Sequence, residues 1–170
     1  DDRFQNFRTE YVKHVAEMLN FSGTDNTSER AESILKLETK IAAAHWPREK
    51  RRDRDLTLNQ LERSELSDTY PGYNWDLYFE QTGYQIPHLN ISQPEPIREV
   101  IALVNEEPLN AWKDYLIYHT LSGNAGLLSE EIFEANFRFY SKILRGQEEP
   151  RSRWKRAISQ MSGTQSLGFA

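Results

Sequence analysis

The residues able to do chemistry in this chain are spread thinly. The four histidines, at 14, 45, 88 and 119, stand roughly 30 or 40 positions apart, so no H-x-x-x-H pair presents two imidazoles on one helix face. His14 has Glu10 and Glu17 at i−4 and i+3, a spacing that could hold a metal. Without a second histidine it reads as a solvated surface residue. The chain contains no cysteine, which excludes thiolate nucleophiles and disulfides. It has no glycine-rich phosphate loop and no G-x-S-x-G elbow. The acidic pairs Glu106-Glu107 and Glu130-Glu131 read as charges at helix starts, not as an acid and a base. Residues 48–55 hold five cations interleaved with Glu49, Asp53 and Asp55. With a net charge of −5 this is a solvated or salt-bridged connector, not a nucleic-acid patch. The chain is therefore not expected to be a catalyst by itself.

The elements that carry these residues are helical. Residues 2–21 place Phe4, Phe7, Tyr11, Val15, Met18 and Leu19 on one face, and Gly23 can end that helix in the left-handed region. A second helix starts near Asn26, carries Ile34, Leu37 and Ile41, and stops at Pro47. Thr57 and Gln60 form a capping-box pattern that predicts a short helix through Leu66. Asn74 caps a short helix from Trp75 to Phe79. Residues 84–92 are extended at best, with Pro87 restricting them to an edge. Pro94 and Pro96 open a helix with Ile97, Val100, Ile101 and Val104 on one face. The stretch 107–121, EPLNAWKDYLIYHTL, is the expected central helix, apolar around most of its girth, with Leu109, Trp112, Leu116 and His119 on one face that Tyr115 and Tyr118 widen. A glycine-bearing loop is expected at 122–128, then one helix over 129–146 capped by Ser129 and ended by Gly146.

These readings give an all-α fold, a multi-helix domain around a central buried helix with little or no β structure. At 170 residues one domain is the default, and burying about 70% of the unfolded surface is feasible. No run of about 18 apolar residues exists to span a bilayer. Beginning at Asp1 and ending in Gly168-Phe169-Ala170, the sequence reads as a piece of something longer.

An ordered series of phrases resembles the N-terminal helical region of the neprilysin-like (M13) zinc metallopeptidases. The series comprises LETKIAAAHWPREKRRD, the T-L-x-Q-L run at Thr57, the W-K-x-Y-L helix at Trp112 and LSEEIFEANFRFYSKILRG. It ends in EEPRSRWKR, where Ser152 interrupts the family's P-R-W-K-R, and in Leu167-Gly168-Phe169 in place of an L-G-x-x-Y motif. The family's H-E-x-x-H and N-A-[FY] motifs are absent from this chain, so no E-x-x-x-D follows a zinc-binding helix in it.

The resemblance implies that residues 1–170 form a single helical domain, part of the non-catalytic lobe of a larger zinc metalloendopeptidase. In the family that lobe closes the active-site chamber and limits the size of peptide substrates. Arg51, Arg52, Asp53, Trp112, Tyr115, Tyr140 and Trp154 carry the match and are assigned structural or lobe-interface roles. The catalytic zinc lobe of the same polypeptide is the implied partner, and zinc the implied cofactor of the parent, with no metal ligand or catalytic residue in this chain. A bacterial periplasmic or cell-envelope location is the implied compartment. The rival readings are a free-standing helical protein-binding module and a nucleic-acid binder using the basic stretches 48–54 and 151–156.

Overall fold

The computed structural model of the chain describes residues 2–162. Among these the elements are α1 (Asp2–Phe21), α2 (Thr27–Ala44), α3 (Arg54–Thr57), α4 (Leu66–Thr69), α5 (Trp75–Thr82), α6 (Pro94–Glu106), α7 (Leu109–Asn124), α8 (Glu130–Phe137) and α9 (Arg153–Ser162). The strands β1 (Gln60–Glu62) and β2 (His88–Asn90) make one small antiparallel sheet. The protein is all-α, as the apolar periodicity predicts. Leu167-Gly168-Phe169 lies outside the described residues. No helix among the described residues is long and apolar enough to cross a membrane. The chain divides into two compact units, one of Asp1–Ser33 with Lys113–Ala170 and the other of Ile34–Trp112.

In the first unit, α1 has the expected bounds and Gly23 follows it at φ 73°. Its buried stripe is His14, Val15, Met18 and Leu19, while Phe4 at its start is exposed. α7 turns a different face inward from the one expected. Ala111, Asp114 and Tyr118 are buried, at i, i+3 and i+7, whereas Leu109 and Leu116 are 68% and 60% exposed and His119 is exposed. The buried stripe thus lies on nearly the opposite side of the helix from Leu109, Trp112, Leu116 and His119. Its small Ala111 and charged Asp114 hid it from a reading of hydrophobicity. Asp114 tolerates burial because Arg30 of α2 donates a hydrogen bond to its Oδ1 at 2.8 Å. The loop expected at 122–128 is instead the end of α7, followed by a 3₁₀ turn, Ala125–Leu127, that buries Ala125.

The helix expected over 129–146 changes its winding. α8 stops at Phe137, and Arg138–Ile143 continue as a π-helical turn. Such wide turns rotate the residues beyond them and occur often at functional sites. Ala135 of α8 and Phe139 of the π turn are the buried residues of this segment. Ser129 holds the N-cap position without a side-chain bond, although its carbonyl accepts from Phe133 N–H at 3.0 Å.

In the second unit, Leu66, Tyr70, Phe79, Ile91 and Ile101 form the core, with Leu61, Trp75, Leu89 and Ile97 against it. Trp75 donates its indole N–H to Tyr70 O at 2.9 Å, so its polar edge is satisfied inside that cluster. The helix expected from Thr57 to Leu66 is replaced by α3, β1 and short helical turns. Leu61 and Leu89 alternate with exposed neighbours and pair across the strands, flanked by Gln60 with Asn90 and Glu62 with His88. That pairing closes a loop of about 25 residues, a tertiary gain that overrides the local capping signal. Asn90 reinforces it, accepting from Asn59 N–H at 2.8 Å and donating to Thr57 O at 3.0 Å. The extended segment at 84–92 is β2 with its flanks, and Pro87 stays outside the strand.

α5 shows how directly local chemistry sets a boundary. Asn74 Oδ1 accepts from Leu77 N–H at 3.0 Å, and Gly83 adopts φ 70° at the C-terminal cap, where a Cβ would be strained. Asn74→Ala is expected to cost about 1 kcal/mol and Asn74→Ser much less, measured by urea denaturation.

Candidate functional site

The residues singled out from the sequence fall into four places. Arg51 and Arg52 lie on a 3₁₀ turn, Lys50–Arg52, and both are exposed. Two local contacts shape that turn. Lys50 places its ammonium 3.9 Å above the Trp46 ring, and Asp53 caps α3 by accepting from Asp55 N–H at 3.0 Å and Leu56 N–H at 3.4 Å. Neither Arg51 nor Arg52 makes an ion pair among the described residues. Two guanidinium groups are thus presented outward on a turn that other side chains hold in shape.

Trp112 and Tyr115 are half-buried on α7, and Tyr115 packs its ring 4.2 Å from His119. Trp154 on α9 is 62% exposed, as is much of Ile158 one turn later. The inner side of α9 is held by Arg156. Its guanidinium lies 3.4 Å over the Phe133 ring and donates to Glu130 at 2.9 Å.

Tyr140 belongs to an aromatic cluster in the first unit, built from α1, α7 and the π turn. Its hydroxyl meets that of Tyr118 at 2.9 Å. Tyr11 packs edge-on to Tyr118 at 5.8 Å and tilted against Phe139 at 5.4 Å. Burial pushes the Tyr118 phenol well above its usual range, so it remains a neutral hydrogen-bonding group.

At the centre is His14, which is 4% exposed. Its ring stacks on Phe139 at 5.0 Å and meets Tyr118 and Tyr140 edge-on at 5.9 and 5.5 Å. The expectation of a solvated histidine is therefore wrong. The signal that could have found it was present: 14 continues the spacing of 11, 15 and 18 on the apolar face of α1. Its would-be metal partners are engaged elsewhere, Glu10 with Lys13 at 2.7 Å and Glu17 with Arg138 at 2.9 and 3.0 Å. Burial, aided by the positive charge of Arg138, lowers the His14 pKa from 6.5 to about 4. No group of three or more candidate metal ligands occurs among the described residues.

The fold has close relatives in shape. Residues 1–170 match the N-terminal model of the family described as Peptidase family M13. The chain belongs to peptidase family M13. Zinc metalloprotease Zmp1 of Mycobacterium tuberculosis, in its open state, superposes with a TM-score of 0.87 at 27% identity, over 95% of this chain and 26% of that one. The same protease in complex with an inhibitor gives a TM-score of 0.87 over 94% of this chain. Among curated proteins, endothelin-converting enzyme 1 of Bos taurus is 26% identical over 94% of this chain and 22% of its own length. Neprilysin-11 of Caenorhabditis elegans is 22% identical over 89% of this chain and 20% of its own length. The chain thus spans about a quarter or less of the relatives it matches.

Proposed function

We propose that this chain is part of the non-catalytic helical lobe of a zinc metalloendopeptidase, where it closes the active-site chamber and limits the size of peptide substrates. The observation that carries the reading is the near-complete superposition of this chain on one part of a zinc metalloprotease about four times as long. In this reading the zinc ligands and the general base belong to the rest of the polypeptide. Limiting substrate size is a steric task that needs surface shape and no catalytic residue. A periplasmic or cell-envelope bacterial location goes with this reading, through the mycobacterial relative.

Arg51 and Arg52 are the proposed contacts to the catalytic lobe. An outward guanidinium pair on a preformed turn suits bidentate binding of carboxylates at low entropic cost. Asp53 supports the turn, and Trp112, Tyr115, Tyr140 and Trp154 complete the structural or interface set. The double variant Arg51→Glu/Arg52→Glu is expected to leave the helicity and stability of this chain unchanged while weakening association of separately produced lobes at least tenfold. Isothermal titration checks this, and a fall in stability instead would assign the arginines a role within the chain.

The size-limiting role is tested by cleavage of a short and a long peptide, by the complete enzyme and by the zinc lobe alone. The complete enzyme should prefer the short peptide strongly, because enclosure orders the substrate and excludes bulk water. The zinc lobe alone should be slower and less selective. Identical rates and size preference in the two would reject the lid and favour a helical protein-binding module.

A further inference from the structure

We propose that His14 is an acid-sensitive latch, whose protonation releases α1 from α7 and the π turn. The geometry is that of a side chain held only while neutral. Both ring nitrogens are buried and have no hydrogen-bond partner among the described residues. The space around them is filled by Phe139, Tyr118 and Tyr140, three rings that supply no carboxylate to an imidazolium. Protonation would put a second positive charge near Arg138, inside an apolar box, with two N–H donors to satisfy.

The charged surroundings decide whether relief is available in place. From α1 come Glu10, Tyr11, Lys13 and Glu17, from α7 Lys113, Asp114, Tyr118 and His119, from α8 Glu130, Glu131 and Glu134, with Glu130 bound to Arg156, and from the π turn Arg138, Tyr140 and Lys142. Asp114 is bound to Arg30, Glu10 to Lys13, and Glu17 to Arg138. Glu10 and Glu17 both lie within about one turn on the same helix; reaching Glu10 takes the ring out of its box, and the other carboxylate is Glu17. Taking it for His14 means surrendering the Glu17–Arg138 bridge, which itself joins α1 to the π turn. Phe139 can offer its ring face to a cation, but that gain is smaller than the loss of hydration. Either response to the proton loosens the same junction. The π winding sharpens the dependence, because Arg138, Phe139 and Tyr140 all reach α1 or α7 from that one turn.

The sign follows from linkage. The folded pKa lies below the unfolded one, so the open state binds more protons. The junction is at full strength above pH 6.5, weakens as pH falls from 6.5 to about 4, and changes no further below that through this group. Within that window opening becomes easier by up to about tenfold per pH unit.

Hydrogen exchange of the full-length polypeptide, read by mass spectrometry on peptides covering 2–21 and 138–145, tests the latch. After correction for intrinsic exchange, protection of these segments should fall ten- to a hundredfold, on the order expected from such a shift, between pH 7 and 4.5. Peptides from 66–82 should change much less. In His14→Phe, which keeps an aromatic ring without a titrating group, most of that fall should vanish. Should His14→Phe not fold, exchange at the His14 C2 position in the wild-type protein reports its protonation directly. A midpoint well below 6 supports the latch, and one near 6.5 overturns it. An unchanged fall in His14→Phe overturns it as well, assigning the effect to carboxylates. None of these readings uses peptidase activity, so the latch and the lid stand or fall separately.

Discussion

Tyr118→Ala should cost about 3–5 kcal/mol, the usual range for a large aromatic truncated in a packed interior. Tyr118 is wholly buried and is the largest fully enclosed side chain among the described residues. It touches Tyr11 and His14 edge-on, and edge-to-face pairs add to simple area burial. Its hydroxyl also meets that of Tyr140. Tyr118→Phe separates the contributions and should cost about 1–2 kcal/mol, since it loses the hydroxyl's hydrogen bonds to Tyr140, Tyr11 and Ser122 and keeps the ring. Leu116→Ala, two positions away, should change stability by under about 0.5 kcal/mol, because that side chain is 60% exposed. Urea denaturation of the chain measures all three. Equal costs for Tyr118→Ala and Leu116→Ala would mean that α7 packs through the face of Leu109, Trp112, Leu116 and His119.

α7 also shows what sequence reading can and cannot deliver. That it is a helix was legible from its length and apolar content, but which face it buries was not. Hydrophobicity ranked Leu109 and Leu116 above Ala111 and Asp114, yet close approach selects small residues and a paired charge. Pairing with Arg30, more than 80 positions away, leaves no local trace in the sequence. The boundaries of α1 and the start of α5 were legible because capping chemistry is local, carried by Gly23 and Asn74. The sheet was half legible. The extended character of 84–92 was visible, but its partner Gln60–Glu62 carried a helical signal that only a long-range pairing could override. The π turn at Arg138–Ile143 has no sequence signature, so the cluster of Phe139 and Tyr140 on His14 could not be foreseen. The family, by contrast, was legible from phrases whose order matters more than any one residue. Arg51 and Arg52 stand out in the sequence by charge, and their outward placement follows from Lys50 and Asp53 taking the local contacts.

Breaking the Arg30–Asp114 pair should give an asymmetric result. Arg30→Ala is expected to cost roughly 3 kcal/mol, because it leaves a carboxylate buried without its cation. The low end of the usual range applies, since the Arg30 side chain is 42% exposed and water can reach the gap. Asp114→Ala should cost only about 1–2 kcal/mol. There the surviving guanidinium can swing into solvent, and alanine suits a helix face that already buries Ala111. The double variant should therefore be more stable than Arg30→Ala alone, a sign reversal that additive effects cannot produce. Denaturant midpoints for the three variants and the wild type complete the cycle. Equal losses in the two single variants would show that Asp114 reaches water when unpaired. The inward face of α7 would then be looser than the burial of Asp114 and Tyr118 implies.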